Sequence, residues 1–416
     1  MNVLVIGSGG REHAICLALR KSPRLGKLYC APGNGGISEI AECVDVAATD
    51  KEKMVRFAVE TPVDFVVVAP DDPLAIGMVD ALEEAGVRAF GPRRNAAIIE
   101  SSKVFSKELM TKYGIPTAEY KVFTEADAAK SYIMAKGAPI VVKADGLALG
   151  KGVVVASSVE EAVAAVNETM LDKKHGESGN SVVAEEFMTG PEVTVLVFTD
   201  GKTIIPMLSS QDHKRALTGD LGPNTGGMGA FCPSPKYTPD VADVCMKTII
   251  RPTVDAMQNE GRPFKGVLYF GLMLTPGGPR VVEYNARFGD PEAQVVLTML
   301  NTDLLDIFEA IVDGRLDEIE VEWRDGHACC VVMASGGYPG GYEKGFGISG
   351  LDAIPDGITV YHAGTARANG GYVTNGGRVL GVTATGDGLR QAAKRAYEGV
   401  AQIAFSNAYF RTDIGL

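Results

Sequence analysis

The segment from Arg280 to Glu292 carries three side chains able to do chemistry together. Val281 and Val282 read as the end of a buried strand. Side chains alternate across a strand, so Glu283, Asn285 and Arg287 point the same way. A carboxylate and an amide oxygen are hard donors of the kind Mg²⁺ accepts beside water and nucleotide phosphates. A guanidinium holds a carboxylate or phosphate through two parallel hydrogen bonds. Gly289 allows a tight turn, and Asp290 is placed to cap a helix whose first residue is Pro291. Taken alone, the row would read as the solvated edge of a strand. Three other stretches suited to phosphate, all upstream, favour the chemical reading.

The first is Gly7-Ser-Gly-Gly-Arg-Glu-His, which follows the apolar run Asn2–Ile6 and opens a helical pattern through Arg20. Strand, glycine turn and helix N-terminus make an anion site. A dinucleotide fingerprint would need a third glycine where this chain has Glu12, so the motif predicts a binder of a phosphate end, not of NAD. A purely structural turn explains this motif about equally well. The second stretch, Pro139 to Val155, is two apolar strands joined by a glycine-rich loop, with Lys143 ending the first strand and Lys151 in the loop. It is not a P-loop, because Gly152 stands where Ser or Thr is required. A hairpin offering N–H groups and lysines can instead fold over a triphosphate as a flap. The third runs from Gln211-Asp-His-Lys-Arg to Gly222-Pro-Asn-Thr-Gly-Gly-Met-Gly-Ala, and a long loop this rich in glycine is usually functional. Between the last two, Ser181 to Glu192 runs from a strand into a Gly-Pro bend. Such a segment can offer main-chain groups to an adenine edge and Glu192 to ribose hydroxyls.

These residues need elements to position them. Strands alternate with helices through Pro92, which describes a doubly wound domain. Within it, Pro70-Asp-Asp-Pro-Leu and Asn34-Gly-Gly fall at the carboxyl ends of strands, where open α/β sheets bind ligands. A helical pattern from Asn95 to Tyr113 carries Lys103, and another covers Pro239 to Asn259. Strands around Gly266–Leu274 and Arg280–Tyr284 lead into the opening segment, and Asp303 begins a further helix. The polar run Asp313–Asp325 reads as a boundary. Beyond it come strands at His327–Ala334, Gly357–Tyr361 and Val379–Ala384 and a closing helix at Arg390–Ile403.

With 416 residues the chain can hold several cores. A net charge of −12 argues against a broad footprint for nucleic acid or an anionic membrane, while leaving room for a local basic pocket. Seven cysteines, an odd number without a Cys-x-x-Cys, suggest reduced buried thiols and a cytoplasmic home. The five histidines have no metal-type spacing. No signal-type segment or bilayer-length apolar run is evident, which fits the same expectation.

With these motifs in view, the chain resembles the ATP-grasp ligases and, within them, the phosphoribosylamine–glycine ligase family. The likeness runs nearly end to end and is most specific at Gly7–Ala14 (GSGGREHA), at Asp212–Arg215 with Gly222–Ala230 (DHKR and GPNTGGMGA), and at Glu283–Glu292 (EYNARFGDPE). It implies an α/β and α+β chain: an N-terminal doubly wound parallel-sheet domain over 1–100 and a central grasp lobe over 101–119 and 188–318. A flap lobe over 120–187 and a small C-terminal domain over 326–416 complete it. It implies a cytoplasmic monomer that joins glycine to 5-phosphoribosylamine with ATP, through a glycyl phosphate, using Mg²⁺ or Mn²⁺ and no nucleic acid or membrane partner. By resemblance Lys103 and Lys143 contact ATP phosphates, Glu185, Glu186 and Met188 line the adenine, and Glu192 holds the ribose. Glu283 and Asn285 bind the metal. Arg287 and Asp212 lie near glycine and act with Lys143 in catalysis. The substrate-binding set is Gly9, Gly10, Arg11, Asn34, Gly35, Asp212, Lys214, Pro223, Asn224, Thr225, Gly226, Arg287, Gly289 and Asp290, with phosphoribosylamine held by the Gly9–Arg11 turn, Asn34-Gly35 and the Pro223–Gly227 loop.

Two departures stand out. Many grasp enzymes carry a carboxylate metal ligand on the strand before the Glu-x-Asn strand, where this chain has Gly271. The family pattern Pro-Glu-x-Pro-Leu reads Pro70-Asp71-Asp72-Pro73-Leu74 here, which puts a ribose contact at Asp71 in doubt. No residue declares itself a general base. The alternatives are another ATP-dependent ligase or carboxylase of purine metabolism, a dinucleotide oxidoreductase, and a nucleotide-binding regulator without catalysis. The Asp212–Arg215 and Pro223–Ala230 motifs oppose the first, Glu12 the second, and the joint presence of Lys143, Glu283, Asn285 and Arg287 the third.

Overall fold

A computed structural model describes residues 1–147, 152–174 and 176–416. Part of the Gly146–Gly152 loop, Lys151 included, therefore lies outside the described residues. The first sheet is parallel throughout and has five strands, in the order Glu42–Cys43, Leu28–Pro32, Val3–Gly7, Phe65–Val68, Arg88–Phe90. Its central strands are continuous apolar runs because helices cover both faces. The chain steps outward in one direction from Val3–Gly7 and then in the other. The crevice at that reversal receives the glycine turn and Pro70-Asp71.

Two four-stranded antiparallel sheets follow. One runs Ile204–Pro206, Glu192–Thr199, Gly266–Thr275, Gly278–Asn285. The other runs Tyr120–Phe123, Val182–Glu186, Ile140–Ala144, Val153–Ala156. A parallel bridge between Thr117 and Val281 ties them at one edge. The C-terminal region builds a larger antiparallel sheet from His327–Ser335, Arg378–Gly386 and Ile358–His362. It is extended by two short strands from the middle of the chain, Gln211–Asp212 and Gly229–Cys232. The helix Leu389–Val400 packs on it through Ala392, Ala393 and Ala396. The expected fold class, a doubly wound domain followed by grasp lobes and a small C-terminal domain, is the one observed.

Several local expectations change. The helix read over Asn95–Tyr113 is two helices, Arg94–Ser101 and Lys103–Lys112, because the Ser102 hydroxyl accepts the Phe105 N–H and caps the second one. The long loop from Gln211 to Ala230 is largely strand: Arg215–Leu217 and Leu221–Asn224 pair as a hairpin. Val282 is half-buried, not interior, since a bulge opposite Gly271 and Leu272 leaves it unpaired. Asp290 does not cap the helix that follows it. The helix is Glu292–Thr298 with Pro291 before it, and the Asp290 carboxylate is drawn away to Gln294 and Arg378. The closing helix ends at Val400, short of Ile403. The small sheet of Gly347–Ile348, Gly371–Thr374 and Thr365–Ala368 was not anticipated; its strands are too short and glycine-rich to show a period.

Candidate active site

The alternation around Asn285 is realised. Tyr284, Ala286 and Phe288 are buried, while Glu283, Asn285 and Arg287 open onto the cleft between the two antiparallel sheets. Lys214 Nζ lies 3.5 Å from Glu283 and 3.1 Å from Glu192, joining the two acids. Desolvation opposes ionisation of Glu283. Lys214, then Lys143, Lys103 and Arg287, outweigh it and hold the carboxyl below its ordinary range. Arg287 Nη2 donates to Asn285 Oδ1 at 3.3 Å and lies 2.6 Å from Glu100 and 3.7 Å from Asp71. Its Nε is buried with no partner.

The departure at position 271 is structural fact: Gly271 pairs directly with Glu283 and offers no donor. Among the described residues no group of three or more His, Cys, Asp or Glu could hold a metal ion. Glu283 and Asn285 thus suit a divalent ion that brings most of its shell as water and phosphate oxygens.

Deeper in the cleft, Lys143 Nζ lies 2.9 Å from Glu185 and donates to the Val282 carbonyl at 3.0 Å. Lys107 Nζ reaches the same Glu185 oxygen at 3.2 Å and donates to Thr117 Oγ1 at 2.8 Å. Burial, opposed by Glu185, lowers Lys107 to about 8. The second Glu185 oxygen is buried without a partner. Lys103 donates to the Gly146 carbonyl at 2.7 Å, at the base of the glycine-rich loop. The Glu185 side chain therefore serves the lysines through one oxygen. Glu186 is exposed, pairs with Arg280 at 3.1 Å, and gives its N–H to the Glu119 carbonyl. Main-chain groups free of this sheet begin only after Glu186, at Phe187 and the buried Met188.

Asp212 sits in the strand beside Ala230, among acids. Desolvation raises its carboxyl to about 8; Lys214 opposes this and Glu292, Glu192 and Glu283 add to it.

The glycine turn is filled by the protein's own acids. Glu12 accepts the Gly9 N–H at 2.5 Å and pairs with Arg11 Nε at 2.6 Å, while Asp290 accepts the Arg11 N–H at 3.3 Å. Glu12 also packs tightly against the turn: a Cβ built on Gly7 would meet its side chain at 2.5 Å. Asn34 donates to the carbonyls of Ser8 and His362, both at 2.8 Å, and accepts the N–H groups of Gly36 and Ile37. The Gly35 N–H goes to the Thr365 carbonyl. Asn34 and Gly35 thus shape the crevice and keep few free groups.

Thr225 bonds twice to the Lys214 carbonyl, and the Gly226 N–H reaches Tyr338. Pro223 is exposed and Asn224 half-buried on the hairpin. Gly289 and Gly10 pack against Glu292 and Gln294. Arg378 gathers the carbonyls of Gly226 and Asp290, at 2.6 and 2.5 Å.

Glu100, Lys107, Tyr338 and Arg378 were not singled out from sequence. Glu100 and Lys107 left one trace, a charged residue on an otherwise apolar helix face. Arg378 and Tyr338 left none, since what matters about them is which loop they meet.

Two antiparallel sheets closing on a lysine-lined cleft, with a Glu-x-Asn row on one lip, define an ATP-grasp enzyme. The fold alone is shared with the biotin carboxylase domain of the 2-oxoglutarate carboxylase of Hydrogenobacter thermophilus (TM-score 0.76, 17% identity, 98% of this chain and 91% of that one). Sequence narrows the class. The models for the N, ATP-grasp (A) and C domains of phosphoribosylglycinamide synthetase match residues 1–100, 101–293 and 328–416. The chain is 49% identical to the phosphoribosylamine–glycine ligase of Brucella melitensis over 100% of its own length and 97% of that protein. It is 50% identical to the one from Rhizobium meliloti over 100% and 98%. The crystal structure of the Thermotoga maritima phosphoribosylamine–glycine ligase superposes with a TM-score of 0.86 at 33% identity, over 99% of this chain and 100% of that one. The chain belongs to the phosphoribosylamine–glycine ligase family.

Proposed function

We propose that this chain joins glycine to 5-phosphoribosylamine with ATP, giving glycinamide ribonucleotide, ADP and phosphate, a step of purine synthesis. The observation that carries the reading is the Glu283–Asn285–Arg287 row beside Lys143 and Lys214, in a chain whose relatives of that name match it end to end. A carboxylate does not condense with an amine in water unless it is activated. The glycine carboxylate attacks the γ-phosphate, giving glycyl phosphate and ADP; the amine then attacks the acyl carbon and phosphate leaves.

Arg287, with an unused buried Nε, holds the glycine carboxylate close to Asp212. Lys103 and Lys143 stabilise charge on the phosphoryl oxygens. Glu192 reaches the ribose, and Met188 with main chain near Glu185 and Glu186 meets the adenine. Glu283 and Asn285 would hold a divalent metal, Mg²⁺ or Mn²⁺, which when bound would supply charge neutralisation for the nucleotide phosphates. Gly9, Gly10, Arg11, Asn34 and Gly35 shape one wall for phosphoribosylamine, and Lys214, Pro223–Gly226, Gly289 and Asp290 the other. Holding both substrates at one acyl phosphate supplies much of the rate.

The division into 1–100, 101–119 with 188–318, 120–187 and 326–416 is proposed with this reading, as are a monomeric state and a cytoplasmic location. No helix among the described residues is long and apolar enough to cross a membrane. The test is phosphate release with each amine acceptor in turn. Release that needs both glycine and phosphoribosylamine supports the reading; release driven by bicarbonate or another acid in place of glycine opposes it.

A further inference from the structure

Arg287 does not hold its position alone. Glu100, near the end of the helix Arg94–Ser101, is buried and uses both oxygens on the two residues that follow the strand Gly278–Asn285. One oxygen lies 2.6 Å from Arg287 Nη2, and the other accepts the Ala286 N–H at 2.7 Å. Glu100 therefore fixes both the guanidinium and the main chain between Asn285 and Arg287. The next residues continue outward into the cleft. Ser102 donates to Asp145 at 3.1 Å, and Lys103 donates to the Gly146 carbonyl. The only other acid within 4 Å of the Arg287 guanidinium nitrogens among the described residues is Asp71, at 3.7 Å, beyond hydrogen-bond reach.

With Nη2 committed to Glu100 and Asn285, and Nη1 donating one hydrogen to the Phe288 carbonyl at 3.3 Å, the unpartnered Nε is a donor left for a ligand, together with the second Nη1 hydrogen. A guanidinium free to rotate would present that donor in many directions; pinned at two atoms, it presents it in one.

We infer that Glu100 is a positioning residue for the glycine subsite, orienting Arg287 so that the glycine carboxylate is held for attack on the γ-phosphate. The inference rests on the assignment of Arg287 to glycine. Glu100 touches no substrate; it acts through Arg287 and the Ala286 amide. The same geometry gives Asp71 a latent version of the role. One more methylene there would extend its reach by about 1.5 Å and bring it onto Nη2.

The test compares Arg287→Lys, Glu100→Gln and Glu100→Gln with Asp71→Glu, in the full chain, by steady-state kinetics in glycine and by calorimetric MgATP binding. Glu100→Gln can still accept the Ala286 N–H but turns its amide toward a donor. Its KM for glycine is expected to rise roughly tenfold with kcat also lower, while the MgATP Kd stays within about threefold. Adding Asp71→Glu is expected to recover part of the glycine KM and to leave MgATP binding alone, which a general loss of packing would not allow. Glu100→Asp, which keeps the charge but cannot reach both partners, is the second variant should Glu100→Gln fold poorly; its KM for glycine rises less. If Arg287→Lys raises the glycine KM and Glu100→Gln does not, or if glycine KM and MgATP Kd worsen together with no recovery on Asp71→Glu, the positioning role is wrong. If neither Arg287→Lys nor Glu100→Gln moves the glycine KM, the assignment of Arg287 falls, and this inference with it.

Discussion

The cleft between the antiparallel sheets and the crevice around the glycine turn are both rich in polar groups, yet they treat them differently. In the cleft, groups are left unmatched. One Glu185 oxygen and Arg287 Nε are buried without partners, and two lysines, Lys143 and Lys107, converge on the other Glu185 oxygen. An unpartnered buried group costs stability, so its survival at several adjacent positions marks a place where a ligand completes the set. In the crevice, apart from one buried oxygen of Gln294, the groups are satisfied from within. Asn34 makes four hydrogen bonds, and Glu12 and Asp290 already occupy the amides of Gly9 and Arg11. A glycine turn at a helix start thus reports where an anion can sit, but not whether the protein has put its own there.

If the cleft is the part built for ligand charge, its residues should cost activity before stability. Glu283→Gln is expected to lower turnover about a thousandfold and to move the Mg²⁺ requirement to higher concentration, with the denaturation midpoint nearly unchanged. Wild-type turnover at limiting Mg²⁺ would remove Glu283 from the metal site. Lys143→Met is expected to lower turnover by about a hundredfold, since Lys103 remains to neutralise phosphate. An equal loss of stability and activity, read by chemical denaturation alongside assay, would make Lys143 structural.

The crevice should behave in reverse. Asn34→Ala is expected to destabilise the fold by roughly 1–3 kcal/mol in denaturant titrations while leaving MgATP affinity unchanged. A variant of full stability that had lost only phosphoribosylamine would make the side chain a ligand and erase the contrast.

The smallest effect concerns two histidines behind the crevice. His13 and His362 are buried against one another, with the His362 N–H donated to His13 Nδ1 at 2.8 Å. Desolvation, and for His13 also His362, lowers them to about 3 and about 4. Both are therefore neutral in the folded chain when the unfolded chain begins to take up protons near pH 6.5. Their contribution is complete above that pH and is lost as pH falls toward about 4, with a slope of up to about 2.7 kcal/mol per unit for two protons. His362→Gln should reduce the acid slope by about one proton relative to the parent; an unchanged slope would mean that His362 is protonated in the fold.

The contrast also explains what the sequence could and could not reveal. The Glu283, Asn285 and Arg287 row was legible because a period of two needs nothing beyond the strand itself, and the parallel sheet because its strands are unbroken apolar runs. Lys143 was legible as a cation ending such a run. The break at Ser102 was missed because a serine inside a helical pattern looks tolerable until its cap to Phe105 is seen. The strand at Gly229–Cys232 was missed because its partner, His327–Ser335, lies about a hundred residues on. Glu100, Arg378 and the filled state of the glycine turn depend on contacts between distant segments, and spacing within one segment carries no record of those.

The central claim is that the glycine carboxylate is activated as an acyl phosphate in the cleft. The direct measurement follows glycine carrying heavy oxygen in its carboxylate through turnover with ATP and phosphoribosylamine. The account predicts that one labelled oxygen per turnover appears in inorganic phosphate, with ADP as the nucleotide product and no label in any nucleotide. Label in AMP, with pyrophosphate released, would contradict it and would require new roles for Lys143, Glu283 and Asn285.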